Sequence, residues 1–362
     1  MDRVSTIELS ALNFDLSASG SDIMKPMHNF SDIKETAGQR LMMGFDGTTL
    51  GPDLEFLIRE LTVGGIILFA RNIETPDQVR LLCRSIQECA RACNLPPMFI
   101  AIDQEGGVVA RLKAPQFKEF PGAPTLKSES EAAQFGQDMA ETLAGLGINM
   151  NFAPVLDVAP ENFPSIMAKR VFGSDPARVS RMGQAIINSQ QQKGILSVAK
   201  HFPGIGRTTL DSHLDLPELK TDENELAAYD LIPFQGAAAA GVSGIMLSHI
   251  RYTGIDPLWP ASLSQAIAKD LLRRRMGYTG LVMTDDLDMG AIQNHYDIAT
   301  IMRRILTADV DLALICHQGP KIAAAFAEIK QNLANDAGLK QKHKQSLARI
   351  MQWKSKFLEH QL

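Results

Sequence analysis

The sequence has few cysteines and lacks the histidine spacings typical of metal sites. The four cysteines, Cys83, Cys89, Cys93 and Cys316, match no CxxC pattern. We interpret them as reduced side chains that act as small hydrophobes, as free cysteines usually do. No HxH or HExxH spacing occurs either. The sequence therefore argues against a disulfide framework and a bound metal, and it favours a reducing compartment.

The sequence also lacks an excess of basic residues and an apolar leader. Its 36 Lys and Arg residues against 41 Asp and Glu residues give a net charge of -5. This balance gives no reason to expect binding to nucleic acid or to an acidic membrane. The N-terminal segment has no continuous apolar run of the kind found in signal peptides and membrane spans. We expect a cytoplasmic protein in which residues 1–28 form a loose arm.

No GxGxxG motif opens a helix after a strand, which argues against a dinucleotide-binding fold. Short apolar runs instead alternate with amphipathic segments along the chain. The runs predicted as strands are 41–45, 65–70, 98–103, 148–158, 196–202, 244–250, 280–286 and 311–317. Apolar strands that alternate with helices indicate a buried parallel sheet. Eight such units favour a closed (β/α)8 TIM-type barrel of the α/β class over an open doubly wound sheet.

We predict a single barrel domain over residues 29–362. One helix should begin at Asp175-Pro176, where an N-cap residue precedes a proline at the first helical position, and should end near Gly194. From about residue 318 onward, the pattern predicts two polar amphipathic helices.

Polar residues cluster where the predicted strands end. In (β/α)8 barrels catalysis takes place at the carboxyl ends of the strands. The clusters are Asp103-Gln104-Glu105, Asp157, Lys200-His201, Ser248-His249 and Asp285-Asp286. We therefore expect these residues to surround one site.

The segment 200–217, KHFPGIGRTTLDSHLDLP, contains an Asp-x-His pair on a loop broken by glycine and proline. A carboxylate beside an imidazole can fix the tautomer of the ring and stabilise its charged form. We interpret His213 as a proton donor and Asp211 as the group that orients it. The alternative is a solvated loop histidine, which the neighbouring acid and the Lys-His pair upstream disfavour.

Asp285 and Asp286 end an apolar strand. Asp286 could cap the following helix, since aspartate is a favoured N-cap residue. Asp285 would then face the mouth of the barrel, where an ionised carboxylate suits attack on a sugar anomeric carbon or stabilisation of an oxocarbenium ion. His249 could support the site from behind or could be a core histidine.

Further charged residues near strand ends are candidates for substrate binding. Lys200, which together with His201 ends the fifth predicted strand, would pair with an acid or donate to substrate hydroxyls. Asp103 and Arg111 lie eight positions apart around a Gly-Gly turn and suit the gripping of sugar hydroxyls. Arg170 could be a similar clamp or a surface charge.

These motifs resemble those of bacterial β-N-acetylhexosaminidases of glycoside hydrolase family 3, in the short single-domain branch involved in peptidoglycan recycling. The resemblance covers the chain from about residue 30. It is carried by GGIILFARNI at 64–73, IDQEGGVVARL at 102–112, FAPVLDVAP at 152–160, KHFPGIG followed by DSHLDLP, and TDDLDMGAI at 284–292. The combination of KHFPG and DSH at this spacing is the most specific of these features.

The resemblance implies the same barrel fold and a set of residue roles. Asp285 matches the catalytic nucleophile, His213 the general acid/base on a mobile loop, and Asp211 its dyad partner. The residues that match N-acetylglucosamine-binding positions are Asp103, Arg111, Arg170, Lys200 and His201. The implied reaction is retaining, exo-acting hydrolysis of terminal β-linked N-acetylglucosamine from a muropeptide or disaccharide, without a cofactor.

The sequence departs from the family pattern at two positions. Ile205 stands where the family usually has histidine, and Val108 where it usually has arginine. Proteins of the glucosidase branch of this family have a barrel followed by a second α/β domain, which supplies a glutamate as the general acid. We expect His213 to take that role here. The alternatives are a broader β-glycosidase, a phosphorylase, in which an imidazole would not repel an incoming phosphate dianion, and a catalytically inactive sugar-binding barrel.

Overall fold

The computed structural model of the chain describes residues 33–358, and in it eight parallel strands close into a barrel. The barrel strands are β1 (Leu41–Met43), β2 (Gly65–Leu68), β3 (Phe99–Ile102), β4 (Met150–Asn151), β5 (Leu196–Phe202), β7 (Gly244–Leu247), β9 (Leu281–Asp286) and β10 (Leu312–Ile315). They follow one another around the barrel in chain order, and β10 closes on β1. Each lies within one of the eight predicted apolar runs, so the predicted closed barrel is confirmed.

Two very short strands were not predicted. These are β6 (Glu218–Leu219) and β8 (Arg251–Tyr252), which form a separate parallel pair. The predicted arm, residues 1–28, and the predicted domain limits at residues 29 and 362 lie outside the described residues.

Helices surround the barrel. They are α1 (Ile33–Ala37), α2 (Pro52–Arg59), α3 (Pro76–Ala92), α4 (Glu129–Ala144), α5 (Pro176–Gln192), α6 (Glu223–Ala228), α7 (Leu231–Ala239), α8 (Gly290–Gln293), α9 (Ile298–Thr307), α10 (Pro320–Asn335), α11 (Ala337–Leu358) and a π-helical segment, Ala266–Arg275. Short 3₁₀ turns cover Gly38–Arg40, Ala70–Asn72, Ala123–Thr125 and Ala261–Leu263. Among residues 33–358, none of the helices combines the length and the apolar character needed to cross a bilayer.

The start of α5 follows the predicted signal. The Asp175 side chain accepts a hydrogen bond from the backbone N–H of Ala177 at 2.9 Å, and Pro176 occupies the first helical turn. The helix ends before Gly194, whose φ of 81° lies in the left-handed region that favours glycine. Local capping chemistry therefore fixes both ends of this helix.

Side chains alternate between two apolar layers. In β3, Phe99 and Ala101 belong to the cluster inside the barrel, whereas Ile100 and Ile102 pack in the layer between the strands and the helices. Because both faces of the strands are covered, apolar side chains make up most of the barrel, and the charged residues of β5 and β9 lie at the carboxyl ends of those strands.

Helix α11 packs against the amino-terminal end of the barrel. Its Ile350 and Leu358 join the interior apolar cluster. Arg349 Nε donates to Asp311, directly before β10, at 2.9 Å, and the buried Lys354 Nζ donates to Gln39 Oε1 at 2.9 Å. The two predicted C-terminal helices are confirmed as α10 and α11. The second of them covers one end of the barrel and leaves the carboxyl end as the place for a site.

Candidate active site

Strand β5 carries one extra residue where it reaches the mouth. Lys200 pairs with Met246 and Phe202 pairs with Leu247, so His201 has no counterpart on β7. In a regular strand successive side chains point to opposite faces, and a bulge changes that alternation locally. Lys200 and His201 consequently both contact carboxylates at the carboxyl end of the barrel.

Lys200 is the centre of a charged network. Its Nζ lies 2.7 Å from Asp103 Oδ1 and 2.7 Å from Glu105 Oε1, and its side chain is only 3% exposed. Arg170 holds Glu105 through two nitrogens, at 2.9 and 2.6 Å, and Arg111 Nη2 lies 3.3 Å from Asp103 Oδ2. Arg170 is therefore a clamp on Glu105, and Lys200 is paired with two acids.

The electrostatics of this network keep its members charged. Burial raises the pKa of Asp103, but Lys200 and Arg111 outweigh it and lower that pKa to about 2. Burial likewise lowers the pKa of Lys200, yet the two carboxylates raise it above its ordinary value. A fixed array of full charges is well suited to orient hydroxyl groups of a polar ligand.

Asp157 orients His201. His201 Nδ1 lies 2.8 Å from Asp157 Oδ2, and because a carboxylate only accepts, Nδ1 carries the proton. Asp157 is fully buried, and its Oδ1 also accepts from the N–H of Ile205 at 2.8 Å. The opposite ring nitrogen of His201 lies 3.5 Å from Arg170 Nη2. One buried acid thus fixes both the imidazole and the start of the following loop.

Asp285 lies half-buried at the end of β9. Burial raises its pKa, but the His201 and His249 imidazoles and the Asp286 amide, which donates to Asp285 Oδ1 at 2.8 Å, lower it below its ordinary value. His249 is fixed through both ring nitrogens, because Nε2 donates to the Asp286 carbonyl at 2.9 Å and Nδ1 lies 2.7 Å from the Ser262 hydroxyl. Asp285 is therefore ionised, and His249 supports the turn beside it.

The prediction that Asp286 caps the next helix is wrong. Its Oδ1 accepts from the N–H groups of Asp288 at 3.0 Å and Cys316 at 3.1 Å, and α8 begins only after Met289. Asp286 therefore fixes the turn that follows β9. Burial raises its pKa to about 6.

Strand β9 contains a second bulge. Met283 pairs with Leu312 and Asp286 with Leu314, so β9 has one more residue than β10 over this stretch, which includes Asp285. Both strands that carry the central candidate residues are thus irregular where they enter the site.

Asp211 and His213 form a close pair on the loop after β5. Asp211 Oδ1 accepts from the His213 N–H at 2.9 Å and lies 2.8 Å from Nδ1, which therefore carries a proton. The His213 side chain is 70% exposed, so Nε2 is available for proton transfer. Although partial burial raises the pKa of Asp211, the hydrogen bonds from His213 lower it. The carbonyls of Ser212 and His213 accept from Ala291 at 3.0 Å and Gly290 at 3.2 Å, which places the loop against α8.

One further group of ligand-type side chains occurs among residues 33–358. Asp286, Asp288 and His317 bring potential metal-ligand atoms within 4.8 Å of one another. Lys321 Nζ lies 2.5 Å from Asp288 Oδ1, so a lysine already provides positive charge there. We assign no cofactor role to this group.

The structure brings most of the candidate residues into contact. Asp103, Arg111, Arg170 and Lys200 share one network, Arg170 links it to His201, and Asp211 and His213 pair on the adjacent loop. Sequence reasoning assigned no binding or positioning role to Glu105 or Asp157, although both stood among the polar residues at strand ends. That position was the signal that could have identified them.

A closed parallel barrel with paired acids and bases at its carboxyl end defines the class of (β/α)8-barrel enzymes. Residues 34–352 match the glycosyl hydrolase family 3 N terminal domain, and the chain belongs to this family. Family membership makes it a glycoside hydrolase and confirms the resemblance found in the sequence.

Relatives show how far the similarity extends. The chain is 34% identical over 298 residues to a β-hexosaminidase from Alkalilimnicola ehrlichii, covering 80% of this chain and 84% of the relative. It is 35% identical to β-hexosaminidase A from Pseudoalteromonas piscicida. That match covers 74% of the present chain but only about half, 48%, of the relative. The solved structure of a family 3 β-N-acetylglucosaminidase from Paenibacillus sp. FPU-7 matches with a TM-score of 0.86 at 34% identity, over 90% of this chain and 62% of the other.

Proposed function

We propose that the chain is a retaining exo-β-N-acetylglucosaminidase that removes terminal β-linked N-acetylglucosamine from peptidoglycan fragments in the cytoplasm. The observation that carries this proposal is the combination of an ionised Asp285 at the end of β9 with an exposed imidazole, His213, paired with Asp211 at 2.8 Å. The similar proteins named β-hexosaminidase and β-N-acetylglucosaminidase support the choice of sugar.

In the first step Asp285 attacks the anomeric carbon while His213 protonates the departing oxygen. The glycosidic bond breaks, and a covalent ester forms between the sugar and Asp285. The depressed pKa of Asp285 keeps it in the nucleophilic, ionised form at neutral pH. Asp211 stabilises the charged imidazolium from which the proton is donated.

In the second step His213 takes a proton from water, and the resulting nucleophile cleaves the ester. The sugar leaves with a hydroxyl group, Asp285 returns as a carboxylate, and His213 regains its proton. An imidazole titrates near neutral pH, so one group can serve as acid and then as base within a cycle. No cofactor takes part in either step.

The charged network around Lys200 would hold the sugar. Asp103 retains acceptor capacity for hydroxyl groups, since a carboxylate has about four lone-pair sites. Arg111 and Arg170 offer donors, and His201 presents its second ring nitrogen to the same region. We assign these residues to binding of the N-acetylglucosamine unit.

The test is turnover of 4-nitrophenyl N-acetyl-β-glucosaminide by the purified chain, compared with the matching glucoside, with and without inorganic phosphate. We expect release of free N-acetylglucosamine, little turnover of the glucoside and no effect of phosphate. Formation of a sugar 1-phosphate would identify a phosphorylase, and equal use of the glucoside a broader glycosidase. Failure to turn over either substrate would favour the inactive sugar-binding barrel.

A further inference from the structure

The loop that carries His213 contributes the aspartate of a second aspartate–histidine pair. Asp215 Oδ1 lies 2.6 Å from Nε2 of His295, a residue that follows α8. Since a carboxylate only accepts, His295 Nε2 carries the proton and donates. The first pair lies within the turn formed by residues 211–215, and the second joins this turn to the segment that follows α8.

Polar contacts hold this turn in place. Of its five residues only Ser212 is buried, and the Leu214 side chain is 71% exposed. The turn bonds to α8 through the carbonyls of Ser212 and His213, and to His295, just after α8, through the Asp215 carboxylate. With so little apolar burial, the loss of one polar contact is a substantial fraction of what positions the turn.

The approach of the turn to α8 is close. A Cβ atom at Gly290 would lie 2.6 Å from the carbonyl oxygens of both His213 and Leu214. Gly290 is the first residue of α8, five positions after Asp285. The position of the turn on α8 therefore sets where His213 stands relative to the end of β9.

We propose that His295 is a positioning residue for the acid/base loop. Its bond to Asp215 keeps the 211–215 turn against α8 and thereby keeps His213 correctly positioned relative to Asp285. This inference rests on the proposed role of His213. His295 itself takes no part in proton transfer to the sugar.

The kinetic test compares His295→Ala with His295→Gln on two substrates. An exposed ion pair shifts an equilibrium by roughly two- to fivefold, so His295→Ala should lower kcat/KM for an N-acetylglucosamine disaccharide by about that factor. The nitrophenyl glycoside, which needs little protonation, should change less. His295→Gln retains a side-chain N–H donor and should recover most of the loss.

Arg181→Ala is the matched control. It removes an exposed ion pair, Arg181 with Glu129 at 2.8 Å, that joins α4 and α5.

A double variant separates positioning from general damage. If His295 acts through His213, then His295→Ala should cause no further loss in a His213→Ala background. An additional loss of the same size there would overturn the proposal, because His295 would then act independently of the proton donor.

Hydrogen exchange keeps this inference distinct from the proposed function. The amide groups of Gly290 and Ala291 donate to the turn, so His295→Ala should speed their exchange by roughly two- to fivefold with or without turnover. Unchanged exchange would overturn the positioning role even in an active enzyme. Faster exchange in a chain that hydrolyses no substrate would place the failure in the proposed function. Faster exchange with unchanged kinetics in an active chain would mean that His295 docks the loop without positioning His213.

Discussion

Asp285 and His213 differ in burial in a way that suits different tasks. The nucleophile stands half-buried on a strand end, with its charge supported by neighbouring imidazoles and an amide N–H. The proton donor stands on an exposed loop, where it can meet leaving groups of different shape. A carboxylate that attacks one carbon atom benefits from a fixed position, whereas a group that serves two successive steps benefits from access to water.

Replacement of the nucleophile is the first prediction at this scale. Asp285→Asn should lose most of the turnover and still unfold cooperatively, because the change removes the attacking charge but almost no volume. Steady-state kinetics and thermal unfolding measure the two effects. Asp286→Asn is the neighbouring comparison and should lose less activity, since Asp286 fixes backbone amides. Near wild-type turnover in Asp285→Asn would remove Asp285 from the mechanism and make Asp286 the next candidate.

Removal of the proton donor should affect substrates unequally. His213→Ala should slow cleavage of an N-acetylglucosamine disaccharide by about 10²–10⁴-fold, the usual worth of general acid–base catalysis. An aryl glycoside should still react in the first step, because nitrophenolate leaves without a proton, and the glycosyl-enzyme on Asp285 should accumulate. Mass spectrometry of the intact protein detects that adduct. Asp211→Ala should show a milder version, because His213 remains but loses its partner.

Equal losses on both substrates would mean that His213 only binds substrate or shapes the loop. The acid would then have to be sought at Glu105 or His249. The structure makes both poor substitutes, because Glu105 is held by Lys200 and Arg170, and both ring nitrogens of His249 are bonded. Burial raises the pKa of Glu105, but the two cations outweigh it and lower that pKa.

The two departures from the family pattern differ in their surroundings. Ile205 is buried, and it contacts Asp157 through its backbone N–H, a bond that any residue except proline can make. Val108 is exposed in the turn that leads to Arg111. The first change therefore concerns packing under the loop, and the second the rim of the site.

At the scale of elements, the sequence predicted strands better than their ends. All eight barrel strands were predicted because each is a short apolar run between turn signals. The bulges at His201 and near Asp285 were not predicted, since strands covered on both faces show no alternation of polarity from which an extra residue could be recognised. The pair formed by β6 and β8 was missed because two-residue strands leave no pattern.

Helix α11 supports a prediction about pH and stability. Burial lowers the pKa of Lys354 to about 7, whereas an unfolded lysine titrates near 10.4. Between these values the unfolded state binds one more proton, so stability rises with pH by up to about 1.4 kcal/mol per pH unit from this group. Lys354→Met should remove that slope from urea unfolding measured between pH 7.5 and 9.5. A second effect does not depend on pH: the loss of the hydrogen-bond donor to Gln39 Oε1 lowers the free energy of unfolding by the same amount at every pH in this range.

Lys356→Met on the same helix is the control, because that lysine is exposed. Its stability curve should stay parallel to that of the wild type. A parallel curve for Lys354→Met as well would show that Lys354 is charged in the folded protein.

At the scale of the whole molecule, closure of the barrel creates the site. Lys200 and Asp103 are 97 positions apart in the chain, and Arg170 and Glu105 are 65 apart. Sequence could place such residues at the ends of strands, and the barrel prediction implied a common mouth. The sequence could not show which of these charged residues pair with one another, because that pairing depends on strand register and on bulges. Membership of the glycoside hydrolase class is confirmed, whereas the natural substrate and the cytoplasmic location stay predictions.

The stereochemical outcome is a property of the whole reaction cycle. Two successive displacements at one carbon restore its configuration, so the first N-acetylglucosamine released from a β-linked substrate should be the β anomer. Proton NMR in the first minutes, before mutarotation, distinguishes the anomers by their H1 coupling. An α anomer as first product would rule out the covalent route and require a water molecule between Asp285 and the sugar.

An Asp285→Gly variant supplied with azide gives a second test of the stereochemistry. Only one displacement then remains, so an activated aryl β-glycoside should yield the α-glycosyl azide and release its phenolate. Formation of the β-azide would mean that another group on the enzyme still serves as nucleophile.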